Sequence, residues 1–154
     1  MKYSILVIAL LGALTVGTSL TRSTSAADPD ILIVVNKSCS VGALNKAQLN
    51  ALFRARTSEF PGGSTASVVN LPQDSPLRRS FDQAVLGMAP DEVQRYWIDV
   101  KIRSGTTPPR KLASSAAVAR FVSSDAKGLG YVASEDQKGL KVVARIHGGS
   151  VTGP

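Results

Sequence analysis

The sequence predicts an α/β domain built on a small mixed sheet of about four strands with helices packed against it. Three observations predict it. Residues 31–35 (ILIVV) form an unbroken apolar run, rich in β-branched residues and too short for a helix, which suits a strand covered on both faces. Downstream of Pro90, Val93, Tyr96, Trp97 and Val100 recur at helical spacing, the strongest helical pattern in the chain. Around these, short strand-like and helix-like segments alternate, with no internal repeat or low-complexity tract. With 154 residues, 44% hydrophobic and 19% charged, the chain has the composition of one folded domain and not of a disordered one. Aromatic residues make up only 5%, which leaves the core mostly to Val, Ile, Leu and Ala.

The N-terminus reads as a secretory signal peptide over residues 1–27. Lys2 gives a positive start, residues 5–14 are apolar, and Ser25, Ala26 and Ala27 offer small residues for cleavage. A membrane anchor needs roughly 20 apolar residues, and Gly17, Thr18, Ser19, Thr21 and Arg22 interrupt the run. Cleavage removes Lys2 and Arg22, leaving about 127 residues with a charge of about +5 and no stable membrane span. The expected address is exported, periplasmic or extracellular. The domain proper is expected over residues 28–147, with residues 148–154 a flexible tail.

Local signals set out the elements in order. Residues 30–36 make the first strand. Asn45 caps the next helix, Gln48 completes a capping box, and Leu44 can staple to Leu49, the apolar face continuing through Leu52 and Phe53. Pro61, Gly62 and Gly63 turn a polar loop, and residues 66–71, centred on Val68 and Val69, form a second short strand. Ser75 caps a helix with Pro76 at its first position. Leu77, Phe81, Ala84, Val85 and Met88 keep helical spacing, and Gly87 stops or bends that helix. Pro90 begins the helix of Tyr96 and Trp97, which residues 105–109 break. Ser114 or Ser115 caps a short helix carrying Val118, Phe121 and Val122. Gly128, Leu129 and Gly130 lead into a brief strand at Tyr131 and Val132, and residues 141–146 (KVVARI) form the last one.

Several chemistries are excluded. One Cys and one His rule out a multi-ligand zinc centre and an internal disulfide, and no cofactor is expected. Cys39 reads as a small buried residue, since no basic cluster flanks it to lower its pKa. Nucleic-acid binding lacks support, because the basic residues form no dense stripe and stacking aromatics are scarce. Catalysis lacks it too: there is no Gly-x-Ser-x-Gly elbow and no Gly-x-x-x-x-Gly-Lys phosphate loop. Cys39 and His147 are the one thiol–imidazole pair, and His147 lies in a Gly-rich tail. Asp91 and Glu92 stand in a helix's first turn, where the dipole favours acids without any function. The chain reads as a binding protein and not an enzyme.

The chemistry concentrates in residues 71–81 (LPQDSPLRRSF), where a strand ends and a helix begins at Ser75. Unpaired N–H groups and a partial positive charge at a helix start make a natural seat for an anion. Arg78 and Arg79 lie in the same turn, where cations oppose the dipole by a few tenths to about 1 kcal/mol each; a bound anion reverses that sign. The alternative has Arg78 paired with Asp82 one turn on and both arginines solvated. The basic loop of residues 108–111 could approach the same anion, although capping serines alone account for the helix start at Ser114 and Ser115.

The strand Ile33-Val34-Val35-Asn36, the helix of residues 44–53 (LNKAQLNALF) and the turn Pro61-Gly62-Gly63 come first in a longer series. Asp74-Ser75 through Phe81, the Tyr96-Trp97 helix, the loop of residues 105–109 and Gly128-Leu129-Gly130-Tyr131-Val132 complete it. In order and spacing the series resembles the phosphate-type substrate-binding proteins of ABC transporters, in a short single-lobe form. The resemblance runs from Ile33 to Val143. It implies a periplasmic-binding-protein-like lobe that binds phosphate or a related oxyanion, with an ABC permease or a second copy of the chain as partner. By position it implies that Ser75 donates its hydroxyl and backbone N–H, that Arg78 pairs bidentately with the anion, and that Asp74 accepts from a protonated phosphate oxygen. Arg79, beside Arg78, completes the expected phosphate-binding set. The family's Gly-Ser-Gly-Thr anion loop reads Asp74-Ser75-Pro76-Leu77 here. The other class open to the sequence is a secreted structural or protein-interaction module that keeps the fold without a ligand.

Overall fold

The computed structural model describes residues 30–154, so the signal-peptide reading lies outside the described residues. The strands are β1 (Ile31–Val35), β2 (Ser67–Asn70), β3 (Arg110–Lys111), β4 (Gly128–Ala133), β5 (Lys141–His147) and β6 (Ser150–Thr152). The helices are α1 (Lys46–Phe53), α2 (Pro76–Phe81), α3 (Pro90–Ser104) and α4 (Ser115–Ser124). The strands form one mixed sheet in the order β3-β2-β4-β1-β5-β6. β1 runs antiparallel to both of its neighbours, β4 and β5, whereas β2 runs parallel to β3 and β4. The sheet thus has six strands where the sequence reading expects about four.

The two additional strands are short edges. β3 is the end of the basic loop, and its two residues pair with Val69 and Asn70. β6 lies in the segment expected to be a flexible tail. Gly148 and Gly149 adopt φ of 54° and 73°, the left-handed pair that a two-residue hairpin turn demands, and this brings Ser150–Thr152 back along β5. Residues 148–152 thus form a hairpin with β5 where the sequence reading expects a flexible tail.

The helix starts follow local hydrogen bonding. Asn45 accepts from the Gln48 amide at 2.9 Å and the Gln48 side chain accepts from the Asn45 amide at 2.9 Å, a complete capping box. Ser75 caps α2 with Pro76 in the first turn, and Ser114 caps α4. α2 runs on into a π-helical turn over Asp82–Leu86, which Gly87 ends at φ 66°.

Packing explains the apolar run of β1. All five of its residues are buried, because helices cover both faces of the sheet. On one face Tyr131 of β4 stacks on Phe81 of α2, with centroids 4.0 Å apart and planes 4° from parallel, and Phe53 of α1 sits 4.5 Å from Phe81. On the other face Gly130 lies beneath Val118 and Val122 of α4. Neighbouring residues of a strand point to opposite faces, so β4 serves α2 with one residue and α4 with the next. A bulge in β5 inserts Val143 between the partners of Ile33 and Val34, and the Val143 carbonyl accepts from the Leu44 amide at 2.8 Å. Cys39 is buried and unpaired.

His147, at the end of β5, pairs with Asp30 at the start of β1. Asp30 raises the imidazole pKa above 6.5, by the hydrogen bond first and the charge second. A raised folded-state value means that the pair contributes stability below pH 6.5 and loses it as pH rises through the folded value. In an NMR titration His147 is expected to titrate above 6.5, and Asp30→Asn is expected to bring it back toward 6.5. An unchanged midpoint in the variant would contradict the contact.

Candidate functional site

The C-terminal ends of β2 and β3 open onto a cavity of about 300 Å³ between them and α3. Its polar side is formed by Asn70 at the end of β2, Arg78 of α2, Lys101 of α3 and Lys111 of β3. Val93, Trp97 and Ile98 of α3 form an apolar wall with Pro108 and Pro109.

Arg78 is a buried guanidinium held from behind. It is 5% exposed. Its Nε donates to Asp82 Oδ2 at 2.6 Å and its Nη1 donates to the Leu71 carbonyl at 3.0 Å. Nη2 makes no hydrogen bond among the described residues and is left for the cavity. Asp82 is equally buried, and burial raises its carboxyl above the ordinary value of 3.8, with the Arg78 charge pulling the other way. The second Asp82 oxygen, Oδ1, is buried without a partner, so the acid is committed to Arg78 alone.

Asn70 is oriented in the same manner. Its Oδ1 accepts from the Tyr131 hydroxyl and, at 3.0 Å, from the Leu71 amide. Burial pushes the Tyr131 pKa up, so the hydroxyl keeps its proton and donates. With both donors on the oxygen, the amide nitrogen of Asn70 is the end that remains free. Buried amides and guanidinium groups are costly unless satisfied, and here the satisfied edges face the core while the unsatisfied edges face the cavity.

Lys101 and Lys111 are exposed and form no ion pair among the described residues. No carboxylate lines the cavity. Asp82 offsets Arg78, so the two lysines give the cavity its net positive charge. Such a cavity attracts and holds anions.

Of the four residues expected to bind the anion, Arg78 lines this cavity and the other three do not. Ser75 is occupied as a cap, its hydroxyl accepting from the Arg78 amide at 3.4 Å. Arg79 points to the other side of α2, where its Nη1 donates to the Asp74 carbonyl at 2.6 Å; Asp74 itself is exposed. Arg79 borders a different cavity of about 340 Å³, in which it is the one charged side chain. The Arg78–Asp82 pair weighed in the sequence is present, but buried and not solvated.

Asn70, Trp97, Lys101 and Lys111 were not legible as site residues. Lys111 carried the best signal, as part of the basic loop. Lys101 follows Val93 and Trp97 at intervals of four, so it continues their helical face. Asn70 offered nothing local to mark it.

Neither a family model nor a curated protein matches the sequence. Solved structures do. An ABC-type phosphate transport receptor from Vibrio cholerae superposes with a TM-score of 0.60 at 19% identity, covering 76% of this chain and 47% of the receptor. PstS from Borrelia burgdorferi gives a TM-score of 0.56 at 12% identity, over 76% of this chain and 47% of that one. The chain has the fold of a phosphate-receptor lobe. It spans about half the length of the receptors it matches. The mixed α/β architecture of a periplasmic-binding-protein-like lobe is therefore as the sequence resemblance implies, with two more edge strands. Among the described residues no helix is long and apolar enough to cross a membrane, and no cluster of three or more potential metal ligands occurs.

Proposed function

We propose that the chain is an exported oxyanion-binding protein, a single lobe of the kind that supplies substrate to phosphate ABC transporters. One observation carries this reading: Arg78, anchored by Asp82 and Leu71, turns its free edge into a cavity that also holds Asn70, Lys101 and Lys111 and no acid. The fixed edge of Arg78 and the Asn70 amide supply directional donors to oxyanion oxygens, and the lysines supply unpaired positive charge. Directional donors and unpaired cations in one cavity suit capture and release of an anion. The site differs from the one expected at Ser75, Asp74 and Arg79, and Arg78 is common to both. The likeness to phosphate receptors supports phosphate as the first ligand to test and a transporter permease as the partner.

Isothermal titration of phosphate into the exported form tests the reading. Micromolar binding is expected, and the Lys101→Gln/Lys111→Gln variant is expected to weaken it roughly 10- to 100-fold. Both lysines are exposed, so the variant keeps the fold. No heat up to millimolar phosphate would overturn the reading and leave a secreted structural or interaction module.

A further inference from the structure

We propose, resting on the oxyanion reading above, that the preferred ligand of the Arg78 cavity is an oxyanion joined to an apolar body, a phosphate monoester and not the bare ion. The cavity is about 300 Å³. A single water needs only about 10–15 Å³ of such space, so the cavity is larger than a tetrahedral oxyanion of five heavy atoms fills. A bare ion seated on Asn70, Arg78, Lys101 and Lys111 leaves the remaining space as water against Val93, Trp97, Ile98 and the two prolines.

That remaining wall is mostly apolar, with Gln73 and Gln94 at its polar positions, and it is partly open. Ile98 is 53% exposed although it is a large hydrophobic residue, while Trp97 beside it is only 9% exposed. Covering such surface is favourable in proportion to the apolar area removed from water. An apolar body alone would leave the two lysines without a counter-charge, and no carboxylate in the lining supplies one. A ligand with an anionic head and an apolar body satisfies both sides at once, and ligand sites of this size combine the two in the same way. Ile98, Pro108 and Pro109 beside the Trp97 ring suit a compact apolar group such as an aryl ring.

Phenyl phosphate, inorganic phosphate and phenol are the three probes. Trp97 is the one tryptophan of the chain and lines the cavity, so its emission reports on occupancy directly, with titration calorimetry in parallel. Phenyl phosphate is expected to bind at least tenfold tighter than inorganic phosphate and to change Trp97 emission, with phenol giving no measurable binding. Ile98→Ser is expected to weaken phenyl phosphate severalfold more than it weakens inorganic phosphate. Lys101→Gln/Lys111→Gln is expected to weaken both. Equal or tighter binding of inorganic phosphate would overturn this inference and keep the oxyanion reading. Phenol binding as well as phenyl phosphate would also overturn it, because the anionic head would then contribute nothing. Absence of binding by both anions would overturn the two together.

Discussion

Asp82→Ala is expected to cost about 3–5 kcal/mol of stability, the usual result of leaving a buried charge without its partner. Arg78 is 5% exposed and Asp82 is 2% exposed. The variant keeps the guanidinium in place and removes the carboxylate 2.6 Å from its Nε, so Leu71 alone would hold a buried cation. Domains of this size have about 5–15 kcal/mol in total, and urea unfolding of the variant should show its midpoint falling by about a fifth or more. The double variant Arg78→Met/Asp82→Leu is expected to regain most of the loss, since a well-packed apolar pair replaces a buried ion pair at little or no net cost. It is expected to bind no phosphate, which separates the pair's contribution to the fold from its contribution to the site. An Asp82→Ala protein as stable as the wild type would show that the pair is not buried.

The same acid sets a pH dependence with a definite sign. Burial raises the Asp82 pKa in the folded state above 3.8, and Arg78 offsets only part of that. The folded state then holds a proton that the unfolded state has released, so stability from this group falls as pH rises from 3.8 through the raised folded value, and is flat above it. Asp82→Asn is expected to remove that slope from a series of urea midpoints.

Gly128→Ala is expected to lower the melting temperature by roughly 5–15 °C, through overpacking worth about 1–3 kcal/mol. A Cβ on Gly128 would lie 2.9 Å from the Val122 Cα and 3.0 Å from the Asp125 carbonyl oxygen. Both are backbone atoms, so relief requires the last turn of α4 to lift from β4. Gly130 differs in kind. Its added Cβ would meet the Val118 Cγ1 at 2.5 Å and the Val69 Cγ2 at 3.1 Å, which are side-chain atoms. Gly130→Ala is therefore expected to be partly rescued by Val118→Ala, a coupling that a double-mutant cycle measures. No comparable truncation relieves Gly128→Ala. Rescue of Gly128→Ala by Val122→Ala would show that the contact is with a side chain after all.

The elements that the sequence made legible are those whose signals close within a few residues. Asn45 with Gln48, Ser75 with Pro76, Ser114, and the stops at Gly87 and Gly105 all act through bonds to the next turn, and each stands where local chemistry put it. The apolar run of β1 likewise carried its own evidence of burial. β3 was not legible because two basic residues have no strand pattern; they pair because Val69 and Asn70, some forty positions earlier, lie beside them. The first residues of β4 were read as a lead-in because glycine disfavours strands, yet α4 packs so closely that only glycine fits.

The site divides along the same line. Sequence alone marked Arg78 as a cation out of place in its helix turn, and raised the pair with Asp82. Whether that guanidinium lay in water or in the core depended on the Leu71 carbonyl and on Tyr131, sixty residues from Leu71. Arg78 and Arg79, adjacent in the chain, were separated into different cavities by the hundred-degree step of a helix. Lys101 and Lys111 share a cavity with Arg78 because β3 joined the sheet edge beside β2 and α3 borders the same space. Caps and turns are settled by hydrogen bonds between near neighbours, whereas a cavity is a space left between distant segments, and its lining is settled only when those segments have packed.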